Sequence, residues 1–136
     1  TGRIIAGARK SPGSAEFANT AKLLIEGRRE AGAGSLAPAI PKGENTTLVV
    51  VATNAALDGV EARKLAQLSQ IGMTNAISPA HTMVDGDLVI AVSAGSRKAS
   101  MMALGAAAAE AVGQAIVRAV RTAPSLGGYP GLAGSR

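Results

Sequence analysis

Two short clusters hold most of the residues able to do chemistry, and each adjoins an apolar run. The first is Lys42-Gly43-Glu44-Asn45-Thr46-Thr47, which runs into Leu48-Val49-Val50-Val51-Ala52-Thr53. A threonine hydroxyl is a poor nucleophile until a base takes its proton. Cutting the peptide bond between Asn45 and Thr46 would give Thr46 a free α-amine, with a pKa of about 7.7–8.0. Amine and hydroxyl would then share one residue, and the amine could act as the base near neutral pH. The same hydroxyl could make the cut, attacking the Asn45 carbonyl to leave an ester that water hydrolyses. A plainer reading stands beside this one: β-branched threonines open strands on propensity alone. Asn45-Thr46-Thr47 also has the form of a glycosylation acceptor. We expect no glycan there, because the first residues do not read as a charged-then-apolar secretory signal.

The second cluster is Asp85-Gly86-Asp87, at the head of another apolar run. Carboxylates two residues apart in a strand point to the same side of a sheet. Their mutual repulsion would leave one of them protonated, giving a donor and an acceptor together. Such a pair could orient an amine and a nearby threonine hydroxyl. The alternative is ordinary turn chemistry with both acids in water. An EF-hand calcium loop needs a longer ladder of acids and a closing glutamate. His81, in Ser78-Pro79-Ala80-His81-Thr82-Met83, would need an acid and a hydroxyl in reach to form a triad. It reads first as a structural hydrogen-bonding residue. Gly95-Ser96 before the last helix could bind an anion at the helix N-terminus or be a plain cap.

Composition removes several other chemistries. There is no cysteine, so no disulfide, thiolate nucleophile or cysteine-based zinc site is expected. One histidine cannot make a histidine-rich metal site, and we expect neither metal nor cofactor. These features suit a bacterial-type cytoplasmic enzyme. The net charge of +5 comes from scattered basic residues with no aromatics among them to stack on bases. No nucleic-acid partner is therefore expected. Nor is a membrane, since no run reads as the roughly 18 apolar residues a span requires.

The elements that must position the two clusters follow from pattern. Of 136 residues, 47% are hydrophobic, enough for one core, yet Phe17 and Tyr129 are the only aromatics. Val, Ile, Leu, Met and Ala must fill that core in tight layers. Residues 3–7 could be a short strand, and part of 15–30 a helix. A Gly-, Ala- and Pro-rich linker occupies 31–45, where entropy and missing donors keep regular structure from forming. Such stretches are where chains are cut. The β-branched run 48–53 reads as a strand covered on both faces, followed by a turn over 54–57. Asp58 and Glu61 make a capping box for a helix to about 75, burying Leu65, Leu68, Ile71 and Gly72. Ser78-Pro79 stops it. Residues 87–93 form a second doubly covered strand. A long Ala-rich helix follows over about 98–121, with Met101, Leu104, Ala108, Val112, Ala115 and Ile116 facing inward, and the Gly-rich end is coil. Two helices supply one layer for the strands. The other layer must come from strands upstream, so the chain reads as a piece of a longer protein.

The run Glu44-Asn45-Thr46-Thr47-Leu48-Val49-Val50-Val51-Ala52-Thr53-Asn54-Ala55 resembles the nucleophile segment of the P1-family peptidases, the D-aminopeptidase and β-aminopeptidase group. The run 77–87, ending Pro79-Ala80-His81-Thr82-Met83-Val84-Asp85-Gly86-Asp87, is similar to a second stretch of that family, P-x-H-T-x-x-D-G-D. Many of those aminopeptidases use serine as the nucleophile. Asn45-Thr46 and the acid pair look closest to its nylon oligomer hydrolase branch, the 6-aminohexanoate-oligomer endo-hydrolases. The resemblance implies an α/β chain that supplies the C-terminal part of a four-layer αββα sandwich of the N-terminal-nucleophile type. It implies autocleavage between Asn45 and Thr46, with 1–45 ending a large subunit and 46–136 forming the small one. It implies Thr46, Asp85 and Asp87 as the catalytic residues of this segment, with further Lys and Asn site residues upstream. The partners would be the large-subunit segment of the same precursor, further processed protomers in a tetramer, and an amide oligomer as substrate. A D-aminopeptidase or β-peptidyl aminopeptidase, or acyl transfer resembling that of ornithine acetyltransferase, are the alternatives.

Overall fold

A β-branched strand, a capped helix, a second strand and a long alanine-rich helix make up the body of the fold. They were described in a computed structural model that covers residues 2–11, 14–26, 46–83 and 85–134. In chain order the elements are α1 (Thr20–Ile25), β1 (Leu48–Ala55), α2 (Gly59–Ala76), β2 (Leu88–Arg97) and α3 (Met101–Thr122). The chain divides into two compact units, Thr1–Glu44 and Asn45–Arg136.

In the first unit, residues 3–7 do not form the expected strand. The ladder starts later: Arg9 and Phe17 make an isolated antiparallel bridge, flanked by Ala18 N–H to Ala8 O at 2.7 Å and Lys10 N–H to Glu16 O at 3.0 Å. The Arg9 guanidinium lies 4.4 Å from the Phe17 ring centre, and such a cation–π contact favours this pairing. Asn19 Oδ1 accepts the Lys22 N–H at 3.0 Å and caps α1. The linker assigned to 31–45 lies outside the described residues.

The second unit is a mixed α/β layer pair. β1 and β2 run parallel, with Leu48 opposite Leu88 and the register kept through Thr53 and Ser93. A parallel pair needs a crossover, and α2 provides it. Asp58 Oδ1 accepts the Glu61 N–H at 2.8 Å while Glu61 Oε2 accepts the Asp58 N–H at 3.1 Å, the capping box expected from sequence. The helix ends at Ala76, capped by Ile77 before a cis Ser78–Pro79 bond. β1 extends through Ala55, past the residue at which a turn was expected. Gly95 and Ser96 also belong to β2 rather than to a helix entry, and α3 begins only after Ser100.

Both helices cover the same sheet face. Met73, Val89 and Val112 form the buried cluster, with Val49, Val51, Ala66, Ile77 and Ile116 against it. Ser69 and Met73, rather than Leu68 and Ile71, complete the buried stripe of α2 with Leu65 and Gly72, and Ile71 is half exposed. On α3 the buried positions are Gly105, Ala108 and Val112, with Ala115 exposed. A Cβ on Gly72 would overlap the Ala109 carbonyl oxygen; this is why the helices can touch backbone to backbone. By length and composition alone α3 could cross a membrane, contrary to the sequence expectation. Its apolarity comes largely from alanine, and its small-residue stripe lies buried against the rest of the unit.

The other sheet face differs from expectation. Along β1 the burial alternates, and Leu48 and Val50 are 69% and 66% exposed. Leu88, Ile90 and Val92 on β2 are also exposed. The strands are apolar on both sides, but among the described residues only one side is covered.

Candidate functional site

The parallel register brings the two chemical clusters together. Leu48 faces Leu88, so one step earlier Thr47 meets Asp87, and one step before that Thr46 meets Gly86. The Thr47 N–H donates to Asp87 Oδ1 at 2.8 Å, and the Leu88 N–H donates to Thr47 O at 3.0 Å. Both backbone groups of Thr47 are thereby tied to 87–88. Thr46 lies just beyond this clamp and is exposed. Asn45 lies outside the described residues.

Asp87 is the anchor. Its side chain is only 4% exposed, and its second oxygen accepts the His81 N–H at 2.9 Å. The His81 ring Nδ1 stands 3.9 Å from the same oxygen. Burial pushes the Asp87 carboxyl up, but the His81 and Thr47 N–H groups, the Thr47 hydroxyl and the His81 ring together hold it below the usual aspartate range. Asp87 is kept charged because backbone donors converge on it.

Asp85 engages a different group. Its Oδ2 accepts the Thr82 N–H at 2.9 Å, and its own N–H donates to Thr82 O at 3.2 Å. Both bonds tie Asp85 back to Thr82. His81 adopts φ 55°, a left-handed conformation that is uncommon outside glycine. That turn of the backbone aims its N–H at Asp87. His81 is held here by its main-chain N–H, with its ring beside the same carboxylate. Thr47 was not singled out for a role of its own; its signal was its place directly before a strand. Among the described residues, no group of three or more His, Asp or Glu is placed to hold a metal ion.

The fold and site are those of a small mixed α/β piece that presents a strand-opening threonine beside a buried, charged aspartate. Residues 11–133, most of the chain, match the profile of Peptidase family S58, and the chain belongs to that family. It is 36% identical over 101 residues to an uncharacterized aminopeptidase of Mycobacterium leprae, covering 63% of this chain and 28% of that protein. It is 33% identical over 101 residues to uncharacterized aminopeptidases of Mycobacterium bovis and Mycobacterium tuberculosis, covering 63% of this chain and 29% of each. The chain thus spans under a third of the length of the curated relatives it matches. No solved structure matches it.

Proposed function

We propose that this chain is part of an amide-bond hydrolase whose precursor cleaves itself between Asn45 and Thr46, making Thr46 the N-terminal nucleophile. The observation that carries the reading is the clamp of Thr47 on Asp87 and Leu88, which fixes Thr46 at the mouth of the acid loop. Membership of a peptidase family supports the reaction class. In maturation the Thr46 hydroxyl attacks the Asn45 carbonyl, the peptide nitrogen leaves as the free α-amine, and water hydrolyses the ester. In turnover the α-amine takes the hydroxyl proton as Oγ attacks the substrate carbonyl, then passes it to the departing amine. Water releases the acyl group. The charged Asp87 fixes the start of the strand that carries the nucleophile and stabilises the ammonium formed when the amine takes the hydroxyl proton. Asp85 holds the loop in shape.

The upstream large-subunit segment would bring the second sheet of a four-layer αββα sandwich over Leu48, Val50, Ile90 and Val92. It would also bring the remaining site residues. We take the processed protomers to assemble further, in the cytoplasm, and to need no cofactor.

For substrate we propose internal amide bonds of linear ω-amino acid oligomers such as 6-aminohexanoate, on the likeness of Asn45-Thr46 and Asp85-Gly86-Asp87 to that branch. The names of the mycobacterial relatives favour a second reading, removal of N-terminal residues from peptides. Purified full-length protein given 6-aminohexanoate oligomers with free and with acetylated amino ends separates the two. Cleavage of both supports the endo-hydrolase. Cleavage restricted to free amines supports the aminopeptidase. Failure on both oligomers and on peptides would overturn the amide-hydrolase reading.

A further inference from the structure

We propose that Gly86 is a positioning residue for the Thr46 hydroxyl: it lacks a side chain so that Oγ1 can lie directly against the backbone of the acid loop. This deepens the nucleophile reading above and rests on it. A Cβ built on Gly86 would fall 2.5 Å from Thr46 Oγ1, but 3.6 Å from both Thr46 Cβ and Cγ2. The second distance is ordinary contact, since non-bonded heavy atoms sit best at about 3.5–4.0 Å. Only the oxygen is crowded, so the hydroxyl is the part of Thr46 that points at Gly86.

The simplest reason for a glycine here does not hold. Among the described residues the glycines with positive φ are Gly7, Gly127, Gly128 and Gly134, and Gly86 is not one of them. Its backbone is therefore open to other residues, and what the position requires is space. Nor can the strands slide to make that space. Thr47 is bonded to Asp87 through its N–H and to Leu88 through its carbonyl, which pins the register one residue away. A methyl at position 86 would have to move the Thr46 side chain, and a β-branched side chain has few χ1 wells to move to. The displaced atom would be the oxygen that has to attack.

The test uses the full-length precursor. Gly86→Ala is compared with wild type for the rate of cleavage between Asn45 and Thr46, followed by intact mass. A shift of about 1 Å in a reacting atom slows a reaction on the order of 10²-fold, and a loss of that size is expected. Stability is compared in two uncleavable backgrounds, Thr46→Val and Thr46→Ala, so that a poorly folding Gly86→Ala still gives an answer. Thr46→Val keeps a branch where the hydroxyl was, and Thr46→Ala removes it. Gly86→Ala should lower the melting temperature clearly in the first and little in the second, a coupling that reports the contact itself. If wild type cleaves and Gly86→Ala cleaves as fast, or if the melting penalty is equal in both backgrounds, Gly86 is a turn glycine and the assignment fails alone. If wild type stays whole, or Thr46→Ala is cut, the nucleophile reading fails and takes the assignment with it.

Discussion

Asp58 and Asp87 both accept backbone N–H groups near the end of an element, yet they do unlike work. Asp58 is exposed and reaches only Glu61, three residues on, which answers by accepting the Asp58 N–H. Asp87 is almost wholly covered and joins segments far apart in sequence: Thr47, forty residues earlier, and His81. One shapes the start of a single helix. The other decides where the first strand begins relative to the second, and so where Thr46 stands. A local cap and a long-range clamp draw on the same carboxylate chemistry, but only the clamp bears on the proposed site.

Substitution separates the two most sharply. In the uncleaved Thr46→Ala background, Asp87→Ala should lower the unfolding free energy by about 3 kcal/mol, because two charge-assisted bonds, to the half-buried Thr47 N–H and to the His81 N–H, are lost. Chemical denaturation measures this, and a loss under about 1 kcal/mol would make Asp87 no more than another cap. Acid should act next. A carboxyl held below its unfolded pKa stabilises the fold above that unfolded value, about 3.9. That contribution fades as pH falls past it and is gone below the depressed folded value. Unfolding midpoints between pH 7 and pH 2 should therefore drop more steeply with Asp87 present than with Asp87→Asn. Parallel profiles would mean that Asp87 is not held charged.

Asp58→Ala should cost about 1 kcal/mol, the usual worth of an N-cap, and leave the rate of precursor cleavage unchanged. A cleavage defect there would erase the contrast between the two acids. The smallest effect is expected from His81→Gly. Relief of the left-handed backbone, about 1 kcal/mol, is offset by the greater freedom of glycine in the unfolded chain, about 0.5–1 kcal/mol. Stability within about 1 kcal/mol of the parent would show that His81 serves Asp87 through its N–H. A larger loss would assign the work to the ring.

The same contrast explains what could be read from sequence. The Asp58–Glu61 box, the β-branched strand and both long helices rest on neighbours a few residues apart, so periodicity and capping found them. Thr46, Asp85 and Asp87 stood out by residue type, but their partners did not. Which acid would anchor the strand depends on β1–β2 register, and no local pattern contains it. Residues 3–7 hold only two large apolar side chains, Ile4 and Ile5, too few for a pattern to identify a strand. Ile71 is exposed because the buried stripe of α2 runs through Leu65, Ser69, Gly72 and Met73, with Gly72 set against Ala109 and Gly113 of α3. Apolarity on both faces of β1 was legible, whereas covering only one of them needs elements from outside these residues.

The most direct test is the intact mass of full-length protein beside its Thr46→Ala variant. The account predicts two fragments in the wild type, parting between Asn45 and Thr46, and one whole chain in the variant. A soluble wild type that stays whole would reduce Thr46 to the residue before a strand and contradict the account.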